Sequence, residues 1–251
     1  MSTTNSILLL QGDAESRLLI DAESALQAVF PGGQVSLIKA WSTRPDWLDA
    51  AAFAPPENLR SQGAITDVDV RALLEDPHRL VIFALWPAVS VPAYRHRDGC
   101  VFLAHRALST SWSAEIAASI AADCDEVQPL SPHDAAKSLQ PIIERLQARG
   151  TAVAVCTVFR HVHEPFEHKR RNGDLSLREL ARRTNLEVAR LSLRTGCFVL
   201  DFDRPLAQEG GASLQADCFG GDGRAAEIAL DEFVALIMDA LPADLPSQEN
   251  V

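Results

Sequence analysis

The densest grouping of chemically capable side chains is Arg160-His161-Val162-His163-Glu164, followed by Glu167-His168-Lys169-Arg170-Arg171. In an extended chain alternate residues share a face, so an extended 159–164 segment puts His161 and His163 side by side. Two imidazoles with Glu164 or His168 fit a divalent metal. The three adjacent cations would repel one. The same groups suit an anion, such as a phosphate or sugar nucleotide, held by charge-assisted hydrogen bonds. A solvated charged loop fits this composition as well. The expectation taken forward is no metal, no cofactor, and an anion-binding set of Arg160, His161, His163, His168, Arg170 and Arg171. Cysteine is the other candidate chemistry. Cys218 stands beside Asp217 and would be a nucleophile as a thiolate, or a half-buried thiol.

These residues must be positioned by a scaffold, and five short apolar runs supply it: Ser6 to Leu10, Gln34 to Ile38, Leu80 to Leu85, Ala152 to Cys156 and Cys197 to Asp201. Near-continuous apolar runs suit strands buried on both faces of a parallel sheet. Amphipathic segments alternate with them. Glu15 to Phe30 places Leu18, Leu19, Ala22, Leu26 and Val29 at helical spacing, and Pro132 to Arg149 does so with Ala136, Leu139, Ile143 and Leu146. Leu177 to Thr195 ends at Gly196, and Gly223 to Leu241 ends at Pro242. The pattern predicts a doubly wound, flavodoxin-like α/β fold, a three-layer α/β/α arrangement around a five-stranded parallel sheet with strands one and three inside. One domain over 1–243 is expected, with an insertion at 86–131 and a polar tail at 244–251. The insertion holds a short strand over Gly99 to Ala104 and a helix over Ser113 to Ala122. In such sheets ligands bind outside the carboxyl ends of the strands. The histidine-rich segment, in a loop from Thr157 to Ser176, leaves from that edge, as does the insertion.

Composition narrows the partners. The net charge of −11 argues against nucleic acid, whose binders show a basic face. No apolar stretch reaches the roughly 20 residues that span a bilayer, and residues 1–10 do not read as a signal peptide. The five cysteines are odd in number and none is paired at metal-ligand spacing. Free thiols in a reducing compartment, hence a cytoplasmic protein, is the expectation, with Cys156 and Cys197 in or beside buried strands.

One turn ties the scaffold to a known family. The first strand runs into Gln11-Gly12-Asp13-Ala14-Glu15-Ser16 and then a helix. This resembles the first block of the SGNH (GDSL-type) hydrolases, where a serine stands at the position of Ala14. Gly63, before a short helix over Asp67 to Leu74, resembles the oxyanion glycine of the second block. Leu85-Trp86-Pro87-Ala88-Val89 falls where the family has its asparagine turn, with Ala88 in that slot. Asp217-Cys218-Phe219-Gly220 falls where it has Asp-x-x-His, with Gly220 for the histidine. Asn185, inside the helix before the last strand, also sits where many of these enzymes carry an asparagine.

The resemblance implies the fold, and also a loss. Ala14 has no nucleophilic atom, Gly220 no base, and Ala88 no side-chain donor for an oxyanion, a donor worth roughly 3–4 kcal/mol of transition-state stabilisation. Asp13, Gly63 and Asp217 remain, but an aspartate without its histidine cannot run the reaction. Ser16 lies two positions past the nucleophile slot and, on a helix, points about 200° away from it. Trp86 fills space the family leaves open, and with Tyr94, Trp112 and Phe166 is a candidate to stack on a sugar ring or to cap the core. The reading is an SGNH-like, non-catalytic binding or accessory protein. Its partner is a carbohydrate, an anionic small molecule or a protein; the resemblance points to polysaccharide biosynthesis. The alternatives are an esterase or acyltransferase built on Cys218, the histidine loop and Asp13 or Asp217, and a structural partner docking through 86–131.

Overall fold

The computed structural model describes residues 5–12, 18–30, 35–48, 70–97, 99, 101–103, 114–159, 175–210 and 223–241. The main sheet has β1 (Asn5–Gln11), β2 (Val35–Trp41), β3 (Leu80–Ala84), β7 (Ala152–Cys156) and β8 (Phe198–Leu200). Its order is β2-β1-β3-β7-β8, every pairing parallel. β1 and β3 are interior, as the alternating pattern predicts.

Strand register explains the layers. Ile7, Leu9, Leu80, Ile82, Ala154 and Cys156 face one side, joined by α1 (Ala22–Val29) and α8 (Arg224–Ala240). Leu8, Leu10, Val81, Phe83, Val153 and Val155 face the other, under α2 (Val70–Glu75), α5 (Pro132–Ala148) and α6 (Leu177–Thr195). All five residues of β3 are buried, which is why Leu-Val-Ile-Phe-Ala reads as an unbroken apolar run. Each such side chain contributes about 1.5–3 kcal/mol on burial.

The long helices start and stop where their sequence dictates. Ser131 accepts the Asp134 N–H at 3.1 Å, with Pro132 at the first helical position. Ser176 accepts the Glu179 N–H at 3.2 Å. Both are N-caps that satisfy an otherwise orphaned donor. Gly196 ends α6 at φ 71, a left-handed conformation glycine adopts without a Cβ penalty. Arg182 and Arg183 both hydrogen-bond to Glu179 and hold its carboxyl down at about 2, against an ordinary 4.5. A depressed carboxyl stabilises the fold above its ordinary range and loses that contribution as pH falls toward 2. In a carboxyl NMR titration Glu179 is expected to show a midpoint near pH 2, and an Arg182→Ala, Arg183→Ala variant to move it up. A wild-type midpoint at 4.5 would contradict the pairing.

Several boundaries and faces differ from the sequence expectation. β2 runs to Trp41 rather than Ile38, β3 ends at Ala84 and β8 at Leu200. Leu18 is helical, a turn follows at 19–21, and α1 begins at Ala22, with Val29 38% exposed at the rim of its stripe. The insertion is richer than expected. It opens with α3 (Trp86–Ser90) and carries β4 (Ala93–His96), β5 (Val101–Leu103), α4 (Ala114–Asp123) and β6 (Cys124–Val127). These strands form a second, antiparallel sheet of order β5-β4-β6. Ala-Tyr-Arg-His and Cys-Asp-Glu-Val carry too few apolar residues to announce strands.

The insertion is fastened to the main sheet beside β2. Past Trp41, Pro45–Trp47 forms a short 3-10 turn, and Trp47 packs with Val91, Ala93, Leu103 and Val127. The Arg44 guanidinium, 5% exposed, lies 4.4 Å over the Trp47 ring. It donates to both Asp46 carboxylate oxygens at 3.0 and 2.7 Å and to the Gln128 carbonyl at 2.7 Å. Among the described residues no helix is long and apolar enough to cross a membrane.

Candidate functional site

In an open parallel sheet the strand order reverses at a switch point, and ligands lie outside the carboxyl ends there. Here that point lies between β1 and β3. Gln11 ends β1, followed by the buried Gly12. The Gln11 side-chain oxygen is buried without a hydrogen-bond partner, the only such side-chain atom among the described residues. An unsatisfied buried acceptor costs about 1–3 kcal/mol. Beside it, Ser42 fastens the strand ends together. Its N–H donates to the Gln11 carbonyl at 2.8 Å, and its hydroxyl donates to the Ala84 carbonyl at 2.8 Å, reaching past β1 to β3.

After β3, Ala88 occupies α3. Its N–H donates to Leu85 at 3.1 Å and its carbonyl accepts from Leu130 at 3.0 Å. Ala88 is 1% exposed and belongs to the apolar layer beneath α5 and α6. Its backbone polar groups are therefore spent on local structure, and its Cβ faces packed hydrocarbon. Trp86, half-buried, leans on the same layer. Tyr94 stacks on Phe102, its cross-strand partner in the small sheet, at 5.7 Å and 27°. Trp86 and Tyr94 thus both make packing contacts, one against the core and one across the small sheet.

The far side of the carboxyl edge is held by a polar network. Thr157, just past β7, donates its hydroxyl to Asp201 Oδ1 at 3.0 Å and accepts the Phe202 N–H at 2.8 Å. Asp201 Oδ1 also accepts the N–H groups of Asp203 and Arg204 at 3.1 and 3.3 Å, capping α7 (Asp203–Gln208). Asn185 of α6 holds both polar groups of Val158: Oδ1 accepts its N–H and Nδ2 donates to its carbonyl, each at 2.7 Å. The start of the 157–176 loop is thus pinned at two successive residues. The sequence singled out Asn185 only by its place in the helix; nothing in its spacing announced this clamp, and Thr157, Asp201, Ser42 and Gln11 carried no signal at all.

The remaining sequence-predicted positions lie outside the described residues. These are Asp13, Ala14, Gly63, Asp217 and Gly220 of the degenerate blocks, the ligand set Arg160, His161, His163, His168, Arg170 and Arg171, and also Ser16, Cys218, Trp112 and Phe166. Among the described residues no group of three His, Cys, Asp or Glu side chains could hold a metal ion. Cys156 and Cys197 are buried and in no disulfide, and burial pushes the Cys197 thiol up.

No family model matches the chain, and no curated protein sequence matches it. Solved structures match it in fold. An acetylxylan esterase from Geobacillus stearothermophilus is 10% identical over 99% of this chain and 100% of its own, with a TM-score of 0.52. A candidate SGNH hydrolase from Slackia heliotrinireducens is 13% identical over 94% of this chain and 100% of its own, with a TM-score of 0.50. The chain has the SGNH-hydrolase fold. An α/β hydrolase from the metagenome of Lake Arreo, Spain, matches the same SGNH-like architecture at 12% identity and a TM-score of 0.50, over 94% of this chain and 95% of its own. Catalytic mutants of the Geobacillus esterase, with a serine or a histidine changed to alanine, match it equally well.

Proposed function

We propose that this protein is a non-catalytic member of the SGNH-like architecture that binds an anionic, hydroxyl-rich ligand, of the sugar-nucleotide or acidic-glycan kind, over the carboxyl edge of its sheet. The observation that carries the loss of catalysis is Ala88. At the place of the oxyanion asparagine stands a residue packed in the core with its own N–H already used. Ala14 and Gly220 remove the nucleophile and the base from the sequence, the two kinds of residue whose replacement defines the catalytic mutants of the Geobacillus esterase. The cations that the sequence groups between Arg160 and Arg171 support an anion.

The test is calorimetry with inorganic phosphate, sugar nucleotides and acidic oligosaccharides. Wild type is expected to bind one of these classes. An Arg170→Ala, Arg171→Ala variant should lose about tenfold or more, since each charge-assisted hydrogen bond contributes about 1.5–3 kcal/mol. Affinity should fall with salt and, if the histidines bind as cations, above about pH 6.5. Equal binding by the double variant would sink the assignment. So would stoichiometric labelling of the wild type by a fluorophosphonate, which would establish the active-esterase alternative.

A further inference from the structure

We propose that the outward face of α6 docks an acidic amphipathic helix of a partner protein. The inner face of α6, with Leu180, Thr184, Val188 and Leu191, is buried. The outer face carries two leucines a heptad apart, Leu186 at 48% and Leu193 at 87% exposure. Arg182 and the exposed Ala189 complete a stripe at 182, 186, 189 and 193. Steps of four, three and four are the spacing of a coiled-coil seam. At 100° per residue the four positions span only about 60° of arc. That is a helix-pairing seam, narrower than the apolar face by which a helix beds into a lipid surface.

Charge selects the occupant. α6 carries five arginines and two glutamates, a net of +3, in a chain of net charge −11. α8, covering the opposite face of the sheet, carries four acidic residues and one arginine. Arg182 on the seam and the arginines beside it are held in place. Arg182 and Arg183 bond to Glu179 at 2.8 and 2.7 Å, and Arg190 bonds to the buried Glu187 at 2.6 Å. A helix with leucines at its seam positions and glutamates flanking them covers the leucines and meets the arginines. A second copy of α6 would set arginine against arginine. A phosphate backbone would meet the arginines and leave Leu193 in water.

The experiment uses the full chain and a fluorescein-labelled 21-residue peptide with Leu at a and d and Glu at e and g. Anisotropy at low salt should show saturable binding, with no binding of the same peptide bearing Lys at e and g. Leu193→Gln and Leu186→Gln should each weaken binding by about tenfold, as truncated seam anchors do. Both sites are exposed, so circular dichroism should show an unchanged fold. Met238→Gln, an exposed apolar position on α8, should bind as wild type. The proposal is overturned by absence of saturable binding or by wild-type affinity in both leucine variants. It is equally overturned by a leucine-dependent dimer in sedimentation, or by leucine-dependent binding to phosphatidylserine vesicles in place of the peptide.

Discussion

A triple variant, Ala14→Ser with Ala88→Asn and Gly220→His, is expected to remain without measurable esterase activity and to be less stable than the wild type. Ala14→Ser alone supplies an oxygen with no base to activate it. Adding the histidine and the asparagine restores the residue types, but position 88 does not face an open site. Its Cβ lies in the apolar layer with Leu85, Val89 and Leu139, and its N–H already bonds to Leu85. An asparagine there forces a carboxamide into packed hydrocarbon. Overpacking and an unsatisfied amide together cost about 2–5 kcal/mol. The prediction has two readouts: hydrolysis of short-chain nitrophenyl esters, with fluorophosphonate labelling, and a thermal midpoint measured for Ala88→Asn by itself. Turnover by the triple variant, or an undisturbed midpoint for Ala88→Asn, would show that position 88 opens onto the site after all.

Asn185→Ala is expected to destabilise the protein by about 2–4 kcal/mol, because it strips the partner from two backbone groups at once. Val158 is 6% exposed, so water does not readily replace the amide. For a chain of this size that corresponds to a fall in Tm of roughly 4–16 °C. Asn185→Asp separates the two bonds. Its carboxylate still accepts the Val158 N–H but opposes the Val158 carbonyl. It should therefore fall at or below the alanine variant, never near wild type. Ligand binding at the 160–171 segment should weaken in both, although Asn185 is not among the proposed ligand contacts. A wild-type midpoint for Asn185→Ala would mean the two 2.7 Å bonds contribute little.

How much of this was legible in the sequence depended on whether a residue's role is local. β3 was legible because all five of its residues are buried and all are apolar. α5 and α6 were legible because their stripes are regular and their caps, Ser131, Ser176 and Gly196, sit at the ends. β4 and β6 were not, because their four-residue runs are rich in polar and charged side chains and their pairing in a small antiparallel sheet is a tertiary fact. That position 88 offers no side-chain donor could be read from the chain, whereas its burial could not. Ser42, Thr157 and Asn185 look like ordinary polar residues, because each acts on backbone groups distant in sequence, 27 residues away for Asn185, 42 for Ser42 and 45 for Thr157. The unbonded Gln11 oxygen is an absence, and an absence has no sequence signature.

Arg44 gives the inserted sheet a particular dynamic character. Its guanidinium is buried, so withdrawing Gln128 from it would leave a charge facing a vacated contact, with only Asp46 and the Trp47 ring to answer it. Breaking one partner of such a buried group costs far more than loosening a surface pair. The insertion therefore does not swing as a hinged flap over the carboxyl edge. It belongs to the same cooperative unit as the end of β2, which Arg44 follows by three residues.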